Sequence, residues 1–412
     1  MEEMIGVRIM VERAILVGCE LPKQTEEHFY YSMLELGSLA KTAQAEVVGE
    51  VTQKRERVHP ATFVGSGKIE EIAAFVAEME VDVVLFNSEL SATQVRNISK
   101  IVDARILDRT QLILDIFAMR AKTREGKLQV ALAQYQYLLP RLSGQGVSLS
   151  RLGGGIGTRG PGETKLEMDR RHIRQKMVDI KKQLDTVVKH RERMTARRND
   201  QAIFRFGLIG YTNAGKSTLF NRLSDAKTLE EDQLFATLDP TTRKLAFSQG
   251  YTALLTDTVG FIQDLPTTVV AAFRSTLEET ANVDVLLHVV DCSNPDYVQH
   301  EKTVLTLLEE LEMHHIPILT VYNKKDQQLP HFIPTQPNYV EVSALEESSQ
   351  YFLMEKMLWE IKQLWQPYVV RVPASDGRML HKYKQETVII EETFDEETES
   401  YQLKGYQARK DK

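Results

Sequence analysis

Residues 210–217 read Gly210-Tyr211-Thr212-Asn213-Ala214-Gly215-Lys216-Ser217, and no other segment constrains the architecture as strongly. The segment has the spacing Gly-x4-Gly-Lys-Ser/Thr, follows an apolar run that predicts a strand, and opens a predicted helix. Glycines at both ends allow the backbone to wrap around phosphate groups, and amide N–H groups at the helix N-terminus supply positive potential. Lys216 can reach the β- and γ-phosphates, and the Ser217 hydroxyl can bind Mg²⁺. The segment therefore predicts a phosphate loop.

Three motifs further along the chain indicate that the base is guanine. Asp257-Thr258-Val259-Gly260 follows a predicted strand, where the aspartate can orient Mg²⁺ through water and the glycine amide can bind the γ-phosphate. Asn323-Lys324-Lys325-Asp326 ends a later strand, and the Asp326 carboxylate can accept hydrogen bonds from guanine N1–H and the 2-amino group, which adenine does not offer. Ser343-Ala344 ends the last strand and can add a backbone N–H to guanine O6. Because these motifs lie at carboxyl ends of strands, where open α/β sheets bind their ligands, we predict a GTP site there.

Between Ile203 and about Gln366 the pattern alternates between strands and helices, which predicts a mostly parallel sheet covered on both faces. The predicted strands are Ile203–Ile209, Lys244–Phe247, Thr252–Thr256, Val285–Val290, Ile318–Tyr322 and Tyr339–Val342. The predicted helices are Ser217–Leu223, Thr267–Thr280, Tyr297–His314 and Gln350–Trp365.

Two positions in this domain bear on hydrolysis. Phe261 stands where many GTPases place the Gln that orients the attacking water, and an aromatic ring does not orient water in that way. We therefore expect slow intrinsic turnover that a partner accelerates. Asn213 resembles the Asn that helps to bind K⁺ in potassium-dependent GTPases, and a loop-stabilising Asn is the alternative.

The net charge of −7 conceals a strongly basic middle segment. Residues 1–119 carry a net charge of −7, residues 120–202 carry +11, and residues 203–412 carry −11. The acidic total argues against a nucleic-acid partner, whereas an excess of one sign over a long stretch favours polyanion binding over an ordinary solvated surface. We therefore predict that the middle segment binds nucleic acid. RNA is weakly favoured over DNA, because the sequence contains no visible helix-turn-helix or zinc finger.

This basic segment has the pattern of a helical hairpin with a Gly-rich tip. A helix is predicted over Lys127–Leu142, and a long charged helix with a narrow apolar stripe from Glu163 to about Asp200. Between them, Ser143–Gly162 contains eight glycines and no acidic residue, so it can thread between backbones where a side chain would collide. The residues that we expect to contact the nucleic acid are Arg151, Gly153, Gly154, Gly155 and Arg159.

The two ends of the chain are less informative. Residues 1–120 have the pattern of a small α/β unit, with strands at Ala14–Val17 and Val83–Phe86 and a helix over Lys68–Met79. Gly65-Ser66-Gly67-Lys68 lacks the phosphate-loop spacing, so a glycine turn that opens a helix is favoured over a nucleotide role. Residues 367–412 have the pattern of a small β-containing module whose function the residues do not indicate.

Composition predicts a cytoplasmic protein without integral membrane association. The hydrophobic content of 42% and charged content of 26% are typical of a soluble globular protein. Cys19 and Cys292 form no disulfide or metal pattern, which favours a reducing compartment. The N-terminus is acidic where a secretory signal is basic, and no apolar run approaches the ~20 residues that span a bilayer.

The chain resembles the bacterial HflX family of GTPases. The resemblance rests on residues 151–163 (Arg-Leu-Gly-Gly-Gly-Ile-Gly-Thr-Arg-Gly-Pro-Gly-Glu) shortly before the phosphate loop, and on Asp108-Arg109-Thr110, residues 235–243 and residues 257–262. It implies an α/β fold with a Ras-like P-loop GTPase domain (203–366). An α/β subdomain (1–120) and a long basic hairpin (121–202) precede that domain, and a small α+β domain (367–412) follows it. It also implies binding to the large (50S) ribosomal subunit and splitting of stalled or idle 70S ribosomes in stress rescue or recycling.

The resemblance also completes the predicted site. It assigns residues 235–239 to switch I and makes Thr237 the second Mg²⁺ ligand beside Ser217. We expect catalysis to depend on Lys216, Thr237 and Gly260. The full set of predicted GTP-binding residues is Gly210, Tyr211, Thr212, Asn213, Ala214, Gly215, Lys216, Ser217, Phe235, Ala236, Thr237, Leu238, Asp239, Asp257, Thr258, Val259, Gly260, Asn323, Lys324, Lys325, Asp326, Ser343, Ala344 and Leu345.

Two other classes of function fit less well. An enzyme of metabolism or RNA modification with a regulatory GTPase domain would need a second catalytic constellation in residues 1–202 or 367–412, and the sequence contains no such pattern. A signalling GTPase that recognises only protein would leave the +11 segment unexplained, and salt-insensitive partner binding would favour it.

Overall fold

The computed structural model describes residues 11–22, 24–142, 161–199, 203–224, 234–235, 237–247, 250–263 and 282–409, with side chains of the 161–199 helix described from 167 to 189. The described residues form two compact units, one up to Asp185 and one from Thr186 onward.

The first unit contains a four-stranded parallel sheet flanked by helices, which is the α/β arrangement that the sequence predicts. Its strands are β1 (Arg13–Glu20), β2 (Glu46–Lys54), β3 (Val83–Phe86) and β4 (Arg105–Asp108), in the order β2-β1-β3-β4. Its helices are α1 (Glu26–Thr42), α2 (Ser66–Met79), α3 (Ala92–Ile98), α4 (Arg109–Arg120) and α5 (Arg124–Arg141), and α6 (Pro161–Asn199) begins in it.

The favoured interpretation of the Gly65–Lys68 segment is confirmed. Gly65 is the N-cap of α2, and the helix begins at Ser66. Lys68 pairs with Glu71 one turn later, at 2.7 Å. The segment therefore opens a helix by an ordinary turn.

Helices α5 and α6 form the predicted antiparallel hairpin. Near the start of α5, Arg124 donates to the Gln183 side chain at 3.4 Å, and further along, the Lys176 ammonium lies 5.9 Å from the centre of the Tyr135 ring. The residue numbers of these contacts rise along α5, from 124 to 135, and fall along α6, from 183 to 176, so the two helices are antiparallel. The apolar stripe of α6 is half-buried, and most of its described basic side chains are exposed. The predicted Gly-rich tip, with Arg151, Gly153, Gly154, Gly155 and Arg159, lies outside the described residues.

The second unit is built on a six-stranded sheet of order β10-β9-β8-β5-β7-β6. Its strands are β5 (Arg205–Gly210), β6 (Thr241–Ala246), β7 (Thr252–Asp257), β8 (Val285–Asp291), β9 (Ile318–Asn323) and β10 (Tyr339–Glu341). Its helices are α7 (Lys216–Ser224), α8 (Tyr297–Glu310) and α9 (Glu347–Leu364). The mostly parallel sheet is confirmed, with β6 antiparallel to β7 at one edge. The helix predicted at Thr267–Thr280 lies outside the described residues.

The end of the chain forms a small α+β module in the same unit. Strands β11 (Gln366–Pro373), β12 (Val388–Asp395) and β13 (Ser400–Gln407) make an antiparallel sheet of order β11-β13-β12, and α10 (Gly377–Glu386) lies between the first two in sequence. Val388 and Trp365 join the main apolar core of the unit.

Cys19 and Cys292 are buried free thiols. Among the helices in the described parts of the chain, none combines the length and apolarity that crossing a membrane requires.

Candidate nucleotide-binding site

The phosphate loop joins β5 to α7 through two backbone positions that require glycine. Gly210 has φ +149°, and a Cβ there would lie 2.2 Å from the Val289 carbonyl oxygen on β8. Gly215 has φ +91°, and a Cβ there would lie 2.2 Å from the Asn323 side-chain nitrogen. Both glycines are therefore fixed by close approach as well as by dihedral angle. The local sequence folds this way because any larger residue would push the loop off the sheet.

Lys216 is buried within the loop that it closes. Its Nζ donates to the carbonyl oxygens of Gly210 and Tyr211, at 3.0 and 2.7 Å. Burial lowers the pKa of its ammonium to about 8, and the Asp257 carboxylate partly opposes that shift. A cation held in this way is stabilised by any anion that enters the loop, so the site favours phosphate groups.

Three oxygen-bearing side chains from different elements meet beside Lys216. The hydroxyls of Ser217 and Thr237 lie 3.0 Å apart, and both contact Asp257 Oδ2, at 3.1 and 2.8 Å. Burial raises the pKa of the Asp257 carboxyl, and its Oδ1 makes no hydrogen bond to the residues that the structure describes. A buried carboxylate beside two hydroxyls matches the oxygen donors that Mg²⁺ takes from proteins, since that ion usually completes its shell with phosphates and water. These three residues therefore fit the predicted ion.

The segment after β7 is fastened to the phosphate loop. Thr258 Oγ1 donates to the Leu208 carbonyl at 2.6 Å, and Phe261 is fully buried. Gly260 lies so close to the loop that a Cβ there would be 2.8 Å from Thr212 Cγ2 and 3.1 Å from Lys216 Nζ. Gly260 thus lies beside the lysine, where a γ-phosphate donor is expected.

The motifs at the ends of β9 and β10 meet through Asn323. Its side chain donates to the Ala214 carbonyl at 2.9 Å and accepts the Ala344 N–H at 3.0 Å, so one buried residue connects the phosphate loop with the loop after β10. The Asp326 carboxylate is exposed, and the Ser343 hydroxyl beside it lowers its pKa. An ionised, accessible carboxylate is what the predicted pairing with guanine requires.

The remaining predicted residues are distributed as follows. Lys324 pairs with Asp291 at 2.7 Å, and the Lys325 amide donates to the Val342 carbonyl at 3.1 Å. Leu345 is exposed. Phe235, Leu238 and Val259 are buried. Asn213 is exposed, and Asp239 is half-buried. Ala236 lies outside the described residues.

The sequence argument missed two features of this site. The Tyr211 ring stacks on His300 of α8, with ring centroids 3.6 Å apart, although the motif pattern gave Tyr211 no side-chain role. His288 on β8 is completely buried, and neither of its ring nitrogens makes a hydrogen bond to the described residues. The sequence signal for the buried His288 was a histidine inside the apolar run Val285–Val290.

Three families of known proteins match consecutive parts of the chain. The family described as GTP-binding GTPase N-terminal matches residues 30–118, and the one described as GTP-binding GTPase Middle Region matches residues 120–198. The family described as 50S ribosome-binding GTPase matches residues 205–324.

Curated relatives match almost the whole length. A protein named GTPase HflX from Alkalihalophilus pseudofirmus is 56% identical over 96% of this chain and 94% of its own. A protein of the same name from Escherichia coli is 42% identical over 94% of this chain and 91% of its own. Among solved structures, one described as the crystal structure of SsGBP and GDP complex is 21% identical with a TM-score of 0.49, and the match covers 86% of this chain and 99% of that chain.

Proposed function

The chain belongs to the HflX family of GTPases, and on that premise we propose that it is a GTP-dependent switch acting on the ribosome in the cytoplasm. In this proposal it binds the large (50S) subunit and splits stalled or idle 70S ribosomes, in stress rescue or recycling. The similarity of residues 205–324 to a family described as 50S ribosome-binding supports the partner.

The observation that carries the switch is the contact of Thr237 with Ser217 and Asp257. This contact supports the proposal that switch I meets the phosphate loop near the Mg²⁺ and the γ-phosphate. A segment held there by GTP is released when the γ-phosphate leaves, which is the usual order–disorder step of GTPases. The ribosome must bind one of these two states more tightly for the nucleotide to act as a switch.

In this proposal, groups of the phosphate loop and of the segment after β7 act on the phosphates during GTP hydrolysis. Lys216 can exchange its two carbonyl contacts for phosphate oxygens, and the Gly260 amide can donate to the γ-phosphate. Mg²⁺, when bound by Ser217 and Thr237, would offset charge on the β- and γ-phosphates. Phe261 supplies no polar group to orient water, so we propose slow intrinsic turnover that the ribosome stimulates. A K⁺ ion beside Asn213 would be a further source of charge, and K⁺-dependent turnover would support it.

The basic hairpin is proposed to contact ribosomal RNA. Exposed lysine and arginine side chains lie along the described length of α6, and a phosphate backbone attracts such a positively charged surface. These exposed side chains are Arg171, Arg174, Lys176, Lys181, Lys182 and Lys189. We propose that the Gly-rich segment with Arg151 and Arg159 enters the RNA from the tip of this hairpin.

Sedimentation through a sucrose cushion tests the proposal. The chain is mixed with 50S subunits and with GDP, a non-hydrolysable GTP analogue or no nucleotide, at two salt concentrations. We expect pelleting with 50S to be strongest with the analogue and to weaken steeply with salt. Equal pelleting in all three nucleotide conditions would overturn the switch, and binding that salt does not change would favour recognition of protein alone.

A further inference from the structure

Tyr211 occupies the second position of the phosphate loop, and its side chain contacts residues outside that loop. Its hydroxyl accepts the backbone N–H of Gln263 at 2.7 Å. Its ring lies parallel to His300 of α8, with an angle of 6° between the planes. The side chain is 5% exposed, so these contacts are sheltered from water.

Main-chain hydrogen bonds hold the same segment beside the loop. The Phe261 amide donates to the Gly210 carbonyl at 3.0 Å, and the Thr212 amide donates to the Phe261 carbonyl at 2.7 Å. Any residue at 211 would permit these two bonds. The third bond, to Gln263, needs a hydroxyl at a fixed distance from the backbone, and among the common side chains tyrosine offers one on a rigid ring.

The position of Gly260 depends on this fastening, because it directly precedes Phe261. Gly260 packs against Thr212 and lies beside the Lys216 ammonium, where its amide can meet a γ-phosphate. Since Phe261 cannot orient water, a correctly placed Gly260 amide is a larger part of what the chain contributes to hydrolysis.

The His300 ring completes the arrangement as a neutral partner. Burial lowers the pKa of His300 to about 4, so the imidazole is uncharged near neutral pH and stacks as a flat ring. Its stacking fixes the Tyr211 ring in the orientation that brings the hydroxyl to Gln263. The phosphate loop, the start of switch II and α8 are therefore joined through one side chain.

We propose that Tyr211 is a positioning residue for GTP hydrolysis, holding residues 261–263 against the phosphate loop so that the Gly260 amide stays aligned with the γ-phosphate. The inference rests on the GTP site proposed above and adds a packing contact between that site and α8.

Tyr211→Phe tests the proposal, because it keeps the ring and the stack while removing the acceptor of the Gln263 N–H. We expect the intrinsic kcat for GTP to fall about tenfold, which corresponds to about 1.4 kcal/mol for one lost acceptor. The affinity for a GTP analogue should fall by much less than tenfold, because the lost bond is expected to destabilise the transition state more than bound GTP. The affinity for GDP should stay within about twofold, since GDP has no γ-phosphate for Gly260 to meet.

Tyr297→Phe is the matched control. It removes another hydroxyl from the same unit, one that donates to the Ile333 carbonyl at 3.1 Å, and it should leave kcat and both affinities unchanged. His300→Phe, which preserves a stacking ring, should behave like the wild type, whereas His300→Ala should reproduce part of the loss seen with Tyr211→Phe.

Two results would overturn the positioning role. One is an unchanged kcat in Tyr211→Phe. The other is a parallel fall of kcat, GDP affinity and thermal stability, which would show a merely structural contribution. If the wild-type chain itself failed to bind GDP, the proposed GTP site would be wrong, and that result is distinct from either of these.

Discussion

Asn323→Ala should uncouple the phosphate loop from the guanine-binding loops. Asn323 is 1% exposed, and its amide makes two buried hydrogen bonds, one to the Ala214 carbonyl and one from the Ala344 N–H. Alanine can make neither bond. The variant therefore leaves a buried acceptor in the phosphate loop and a buried donor in the loop after β10.

The structure sets the size of the effect. A buried polar group that loses its partner costs about 1–3 kcal/mol, so two such groups predict a loss of about 2–6 kcal/mol in the free energy of unfolding. Because both groups belong to nucleotide-binding loops, part of this loss should reappear as weaker GDP binding. We expect the dissociation constant for GDP to rise by at least about tenfold, the equivalent of about 1.4 kcal/mol.

The assay combines urea denaturation with titration of a fluorescent GDP analogue. Asn338→Ala is the control, since Asn338 also makes two side-chain hydrogen bonds in this unit, to the Ile318 carbonyl at 3.1 Å and to Glu360 at 2.8 Å. The control should lose stability and keep its GDP affinity. Unchanged GDP affinity in Asn323→Ala would refute the reasoning. So would a loss of GDP affinity in Asn338→Ala as large as that in Asn323→Ala.

Three further variants test the site. Lys216→Ala should abolish tight GTP binding in an equilibrium titration, because it removes the buried cation that the phosphates would meet; retained affinity would place the phosphates elsewhere. Asp326→Asn should shift preference from guanine to xanthine nucleotides in a competition assay, since the amide can donate where the carboxylate accepts, and unchanged selectivity would contradict the assigned base contact. His288 has its pKa lowered to about 3 by burial, so below its ordinary value of about 6.5 the unfolded chain binds a proton that the folded chain does not. Stability should therefore fall by about 1.4 kcal/mol between pH 7.5 and pH 5.5 through this residue, and His288→Leu should remove that part of the slope in urea denaturation; an identical slope in the variant would show that His288 binds its proton equally well in the folded and the unfolded chain.

The parts of the fold that the sequence predicted are those with local signals. Apolar runs such as Val83–Phe86 become strands at the expected positions, because a strand buried on both faces needs an unbroken run of this kind. The phosphate-loop pattern also predicted the turn between β5 and α7. Gly210 and Gly215 are required there because a Cβ atom at either position would clash with a neighbouring residue.

Other features depended on contacts between distant segments. The predicted strand at Lys244–Phe247 begins three residues earlier, at Thr241, and runs antiparallel to β7, because its direction is set by pairing across the sheet edge. The stack of Tyr211 on His300 joins residues with no sequence signal that relates them. The meeting of Thr237 with Ser217 was expected from family resemblance, since the residues alone did not distinguish Thr237 from Thr241 or Thr242.

Light scattering of purified 70S ribosomes measures the proposed function most directly. Wild-type chain with GTP or its non-hydrolysable analogue should lower the scattered intensity as subunits separate, while GDP or the Lys216→Ala variant should leave the intensity unchanged. An equal fall with GDP, or no fall in any nucleotide state, would contradict a GTP-dependent ribosome-splitting switch.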